Sequence, residues 1–299
     1  MTDVYLYGMI LVSNSILLSG SFPAPEDYSE ISSIHKLPGG ETGTCATILN
    51  KLGCTIKMDG NHLGKNTYPI ITKFYENTNV DLASITYDPN YDGIEDYILI
   101  DQYTRTCFGT FHKFYSDKVK RWNLPSANDI MNASVIGLDP YFGDSSIVVA
   151  KLCHKLEKPY VTIDCPYDSL IFEYASITIL SSEYLRTNYP DLPIMDLIKE
   201  YLSRAHGLVI FTFGANDAFY GRTPEDLYRF TPYQVDVVST LGAGDSFKAG
   251  CIYGLLHQMK DDKLVAFASA VAGLACTKYP LPLYPPSLEE VTALYNTSL

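Results

Sequence analysis

The chain opens on DVYLYGMILV, a run of β-forming residues that predicts a strand ending near Gly8. From about Gly20 to Pro38 the pattern turns polar and is punctuated by Pro23, Pro25 and Pro38, which predicts short strands leaving the main body. The stretch GGETGTCATILNKLG then places Cys45, Ile48, Leu49 and Leu52 at helical spacing, with Gly53 as the stop. A strand-like CTIKMDG follows, and a helix is expected over 67–76. Residues 94–115 alternate and carry Tyr97, Ile98, Ile100, Tyr103, Phe108 and Phe111, which predicts a hairpin.

Further on, short apolar strands alternate with helical segments: SVIGLD at 134–139, PYVTID at 159–164, SITIL at 176–180 and GLVIFTFG at 207–214. That alternation predicts an α/β fold with a parallel sheet covered on both faces. Two helices, near 243–259 and 263–277, are expected to close the chain. No repeat, low-complexity tract or linker interrupts it. The expectation is one domain over 1–299, with segments about 12–38 and 92–116 projecting as a small β lid.

Composition narrows the function classes. The 299 residues are 46% apolar, enough for a sizeable core, and 34 acidic against 22 basic residues give a net charge of −12. That field disfavours nucleic acid and anionic membranes, so neither is expected as a partner. The seven cysteines are odd in number, form no CxxC pair and match no zinc spacing with the six histidines. They read as core thiols of a reducing cytoplasm. No leader or membrane-length apolar run is seen.

The most informative stretch is STLGAGDSFKAGCIYGLL, residues 239–256. Gly242-Ala243-Gly244 allows a tight turn into a helix whose inner face includes Phe247, Cys251 and Leu255. Free amides at such a helix start, with the positive end of its dipole, suit charge on a transferring phosphoryl group. Asp245 lies in the first turn, where a carboxylate is stabilised and can accept a proton. Taken alone, the same four residues also suit a plain tight turn with a capping aspartate.

This segment resembles the second signature of ribokinase-like (PfkB) carbohydrate kinases, DTxGAGDxFxxG, with Thr240, Gly242, Ala243, Gly244, Asp245, Phe247 and Gly250 in register. Gly39-Gly40, Ala46 and Leu52-Gly53 resemble the first signature, GGxxxNxAxxxxxLG; Thr44 stands where that pattern has Asn. DGNHLGKN at 59–66 and NVDLASI at 79–85 are similar to two further family segments, with Asn66 in place of Asp. The resemblance implies a three-layer α/β/α sandwich, a mostly parallel central sheet and a small β-sheet lid. It also implies an ATP-dependent kinase in which Asp245 is the general base and the amides of 242–244 form an anion hole.

Other roles follow from the same resemblance. Gly39, Gly40, Thr44 and Arg105 fall where the acceptor binds. The family's substrate-gripping Asp lies five residues after Gly8, where this chain has Ser13 followed by Asn14, so an acceptor other than a simple ribose or fructose is expected. Thr212 and Gly214, with Thr240, Gly242 and Gly244, correspond to nucleotide-contacting positions; Asp217 replaces a second glycine. Glu183, in a stretch related to NxxE but with Leu180 for the Asn, would act on Mg2+ through water. Ser239 replaces an Asp that helps hold a monovalent cation, which argues against potassium activation. The expected reaction is transfer to a hydroxyl, a primary CH2OH, of a sugar or sugar derivative. A nucleoside kinase of the same fold and a catalytically weak regulatory protein are the alternatives, and a dinucleotide-dependent dehydrogenase ranks last because no GxGxxG follows the first strand. The open edges of a β lid suggest a homodimer.

Overall fold

The computed structural model describes residues 2–101 and 104–298. Nine strands form the central sheet, in the order Leu227–Phe230, Asn216–Gly221, Leu208–Phe213, Ile177–Ser181, Tyr160–Ile163, Ala133–Leu138, Thr2–Gly8, Ile56–Gly60 and Val80–Asp81. Asn216–Gly221 pairs antiparallel with both of its neighbours, and all the other neighbours are parallel. Near-continuous apolar runs form the inner strands Ile177–Ser181, Tyr160–Ile163 and Ala133–Leu138, which are buried on both faces, whereas the edge strand Leu227–Phe230 exposes Tyr228 and Arg229.

Thr2–Gly8 shows how the layers divide. Val4 and Leu6 point into one core, shared with the helices Glu41–Lys51, Ala243–Leu256 and Asp261–Cys276. Tyr5 and Tyr7, one residue out of phase, point into the other, shared with Asp144–Lys155 and Ile194–Arg204. The result is the expected three-layer α/β/α arrangement.

A second sheet of four strands has the order Ile31–Gly39, Leu11–Leu18, Glu95–Ile100 and Arg105–Gly109. The two segments expected to project therefore meet in one sheet, and Glu95–Ile100 pairs antiparallel with Arg105–Gly109 as the predicted hairpin. Tyr103 lies outside the described residues. Leu11–Leu18 leaves the first central strand after only two residues and runs parallel to Glu95–Ile100.

Three expectations change. The helix that starts at Ala243 ends at Leu256, a turn early, and a further helix, Leu288–Tyr295, follows the two expected to close the chain. Its start is fixed by a capping box, in which Ser287 accepts from the Glu290 amide and the Glu290 side chain accepts from the Ser287 amide. Five cysteines are buried, but Cys276 is half-buried and Cys107 is exposed. Among the described residues, no helix is long and apolar enough to cross a membrane.

Candidate active site

The parallel strands bring their carboxyl ends to one side of the sheet, the position where open α/β folds bind ligands. Asp139 follows directly on Ala133–Leu138 and turns across the end of the first strand. It accepts from the Met9 amide at 3.0 Å, from the Thr42 hydroxyl at 2.9 Å and from the Lys248 ammonium. Gly8 makes this possible, since a Cβ there would stand 1.8 Å from Asp139 Oδ2. The buried Asp139–Lys248 pair thus ties the first strand to the starts of two helices. Burial works against the Lys248 charge, but Asp139 and its neighbours hold the ammonium above the ordinary lysine range.

Above this anchor, the helix Ala243–Leu256 begins at Gly242, whose φ of +78° is the left-handed conformation that glycine tolerates. The Ser246 amide makes the first ladder bond, to the Gly242 carbonyl, and the Ala243 amide turns back to Thr240 O at 3.3 Å. Of the 242–244 amides expected to form an anion hole, that of Ala243 is thus engaged, while those of Gly244 and, beyond that set, Asp245 lie outside the helix ladder. A Cβ on Gly244 would meet nothing within 4 Å, so there is room above these groups.

Asp245 lines a cavity of about 250 Å³ between the helix starts and the small sheet. Burial, reinforced by Asp139, pushes its carboxyl up to about 6, while Lys248 and Arg105 pull the other way. Glu41, also in the wall, is pushed up to about 8 by burial and by Asp139 and Asp245.

Of the residues singled out from sequence, Ser13, Gly39, Gly40, Thr44, Arg105, Ser239, Gly242 and Asp245 line this one cavity, whereas Thr240, Ala243 and Gly244 adjoin its wall only along the chain. Arg105 reaches across from the small sheet and donates to Thr240 O at 3.1 Å and Thr240 Oγ1 at 2.7 Å. Asn14 is not brought in. Strand alternation turns its side chain away from Ser13, and its amide donates to Glu95 Oε2 and Asp96 O, each at 3.0 Å.

Thr212 and Gly214 lie at the end of Leu208–Phe213, outside the cavity wall, with Thr212 in register with Ser181. Ser181 caps the helix Ser182–Asn188, which carries the exposed Glu183 in its first turn. Asp164 accepts from the Ser181 amide at 2.7 Å and its hydroxyl at 2.9 Å, and burial raises its carboxyl with Glu183 adding to the shift. Ser239, buried, accepts from the Leu241 amide at 3.2 Å.

Several residues here escaped the reading of the sequence. Asp139 and Asp164 had a usable signal, each being an acidic residue directly after a short apolar strand. Glu41, Asp96, Lys278 and Tyr279 join the wall only through tertiary contacts.

Comparison with known proteins fits this geometry. Over 87 residues the chain is 31% identical to the 5-dehydro-2-deoxygluconokinase of Shouchella clausii, a stretch covering 29% of this chain and 27% of that protein. Over 88 residues it is 36% identical to the 1-phosphofructokinase of Escherichia coli, covering 27% of this chain and 28% of that one. The matches thus span little more than a quarter of either curated relative. The structure of Arabidopsis thaliana ribokinase complexed with ribose and ATP superposes with a TM-score of 0.79 over 98% of both chains at 17% identity, which establishes the likeness of fold. The model of the pfkB carbohydrate kinases matches residues 1–281, and the chain belongs to that family.

Proposed function

We propose that this protein transfers the γ-phosphoryl group of ATP to a hydroxyl, a primary CH2OH, of a small sugar or sugar derivative. The observation that carries this reading is the helix start at the cavity wall, where Asp245 lines the cavity and the adjoining Gly244 amide lies outside the helix ladder with open space around it. A carboxyl raised to about 6 is ionised at neutral pH yet basic enough to take a proton from an attacking alcohol. As the hydroxyl oxygen bonds to phosphorus, its proton passes to Asp245 and the bond from the γ-phosphorus to the bridging oxygen breaks, releasing ADP. The amides of Gly244 and Asp245 face the charge that develops.

Magnesium fits the carboxylates at the neighbouring strand end. Glu183 is exposed, forms no ion pair among the described residues, and lies close enough to Asp164 to raise its carboxyl. Hard oxygen donors of this kind suit a magnesium ion that keeps part of its water shell, and its charge would offset that of the phosphates. A monovalent-cation site fits less well, because Ser239 offers only a hydroxyl already engaged with Leu241. Arg105 is read as the contact that holds the small sheet over the nucleotide-binding loop, excluding water from the transfer. Ile34, Tyr97 and Phe108 are exposed on that sheet's outer face, and pairing two such faces would give a homodimer visible by sedimentation.

The test is an ATP-consumption assay with magnesium over sugars, sugar acids, amino-sugar conjugates and nucleosides, with Asp245→Asn beside the wild type. Turnover on one acceptor class that disappears in the variant supports the reading. Folded protein that binds no ATP refutes it.

A further inference from the structure

One carboxylate in the cavity wall is not used by the transfer proposed above. Asp96 is 8% exposed, and its Oδ1 has no hydrogen-bond partner. Parallel pairing sets Asp96 directly beside Ser13, and both residues line the cavity. Burial pushes the carboxyl up to about 6, and the neighbouring Ser13 hydroxyl works the other way. The two cations in the wall are engaged elsewhere, Arg105 with Thr240 and Lys278 with Glu290 at 2.6 Å. A buried carboxylate oxygen without a donor is costly to keep, and in a ligand-sized cavity the missing donor is a ligand's.

We infer that Asp96, supported by Ser13, grips hydroxyl groups of the acceptor, and that the acceptor enters unphosphorylated. A carboxylate only accepts, so it is satisfied by O–H groups and repels a second anion. Asp96 and Asp245 face the cavity together with the Glu41 carboxyl, while of the two cations in its wall Lys278 is paired with Glu290 and Arg105 is turned to Thr240. Neutral sugars and sugar alcohols meet this demand, whereas sugar phosphates do not. The inference rests on the kinase reading for the identity of the cavity's occupant, but its test does not need turnover.

Calorimetric titration of the full chain without ATP, using neutral sugars, sugar alcohols and their phosphate esters, examines it directly. An unphosphorylated compound is expected to bind and its ester is not. Asp96→Asn should weaken that binding roughly ten- to a hundredfold, the loss of a charge-assisted hydrogen bond. Ser13→Ala should weaken it several-fold. Asp96→Asn should melt no lower than wild type, because it removes a buried charge that lacks a partner; a purely structural carboxylate would lower the melting point and leave binding alone. Asp245→Asn should still bind the compound. The inference is overturned by binding within twofold of wild type in Asp96→Asn, by preference for a phosphate ester, or by no unphosphorylated binder. Binding that depends on Asp96 without any ATP consumption would instead refute the kinase reading and leave this inference standing.

Discussion

Asp139 and Asp96 are both almost fully hidden from solvent, at 1% and 8% exposure, yet their surroundings are opposite. Asp139 has its donors inside the chain: an amide from the link after the first strand, and a hydroxyl and a lysine from two separate helices. Asp96 has Ser13 beside it in register, an oxygen without a donor, and a cavity. The first arrangement locks strand and helix ends into position and leaves nothing for a ligand. The second holds a wall in place and leaves an oxygen open. The difference teaches that burial alone does not mark a carboxylate as structural; what matters is whether the chain itself completes its hydrogen bonds.

The largest expected effect lies between the two carboxylates, at Asp245. Asp245→Asn should cut the phosphoryl-transfer rate by roughly 10²–10⁴ while the protein stays folded, as steady-state kinetics with circular dichroism would show. Because the ionised form is the base, wild-type kcat/KM should fall as pH drops through about 6, and this limb should vanish with the variant's activity. Next, Lys248→Met leaves Asp139 charged and buried, and should cost about 3–5 kcal/mol in urea unfolding. A loss below about 1 kcal/mol would break the contrast between the two sites.

Asp96 should behave in the reverse sense. Its folded-state value of about 6 lies above the ordinary 3.8, so the native protein holds the proton more tightly than the unfolded chain does. That stability is fully present below 3.8 and lost as pH rises through about 6. Wild type should therefore lose up to about 3 kcal/mol relative to Asp96→Asn across this window, taking one pKa unit as about 1.4 kcal/mol. Equal slopes in the two proteins would show that Asp96 is satisfied after all. The smallest effect is expected at Arg105, where Arg105→Gln removes the bond to Thr240 and should lower kcat/KM about 3–10-fold.

How much of this was legible in the sequence follows from the range of the interactions involved. The turn at Gly242 and the carboxylate at Asp245 could be read because seven spaced residues build them locally. The inner strands were legible because burial on two faces demands unbroken apolar runs, whereas Asn216–Gly221 and Leu227–Phe230, at one end of the sheet, carry mixed residues and were not read. Asp96 was not, since its place beside Ser13 depends on the register between strands more than 80 residues apart, which no local pattern sets. Asn14 shows the cost of a one-residue ambiguity on a strand: Ser13 faces the cavity and Asn14 faces away. Lys248, next to an apolar helix face, is buried because Asp139 awaits it from a distant strand end. The last helix escaped the reading although its signal is local, Ser287 and Glu290 standing at capping-box spacing.

The uneven burial of the thiols has a practical consequence. Five of the seven are shut inside the fold and Cys276 is half-covered, while Cys107 sits exposed on the small sheet at the edge of the cavity. Burial still holds its thiol above the usual range, so mildly alkaline conditions favour its reaction with a maleimide or iodoacetamide dye. The molecule thus carries its own exposed attachment point for a fluorophore, next to the Arg105 bridge, and its emission would report on what surrounds the cavity mouth without an engineered cysteine.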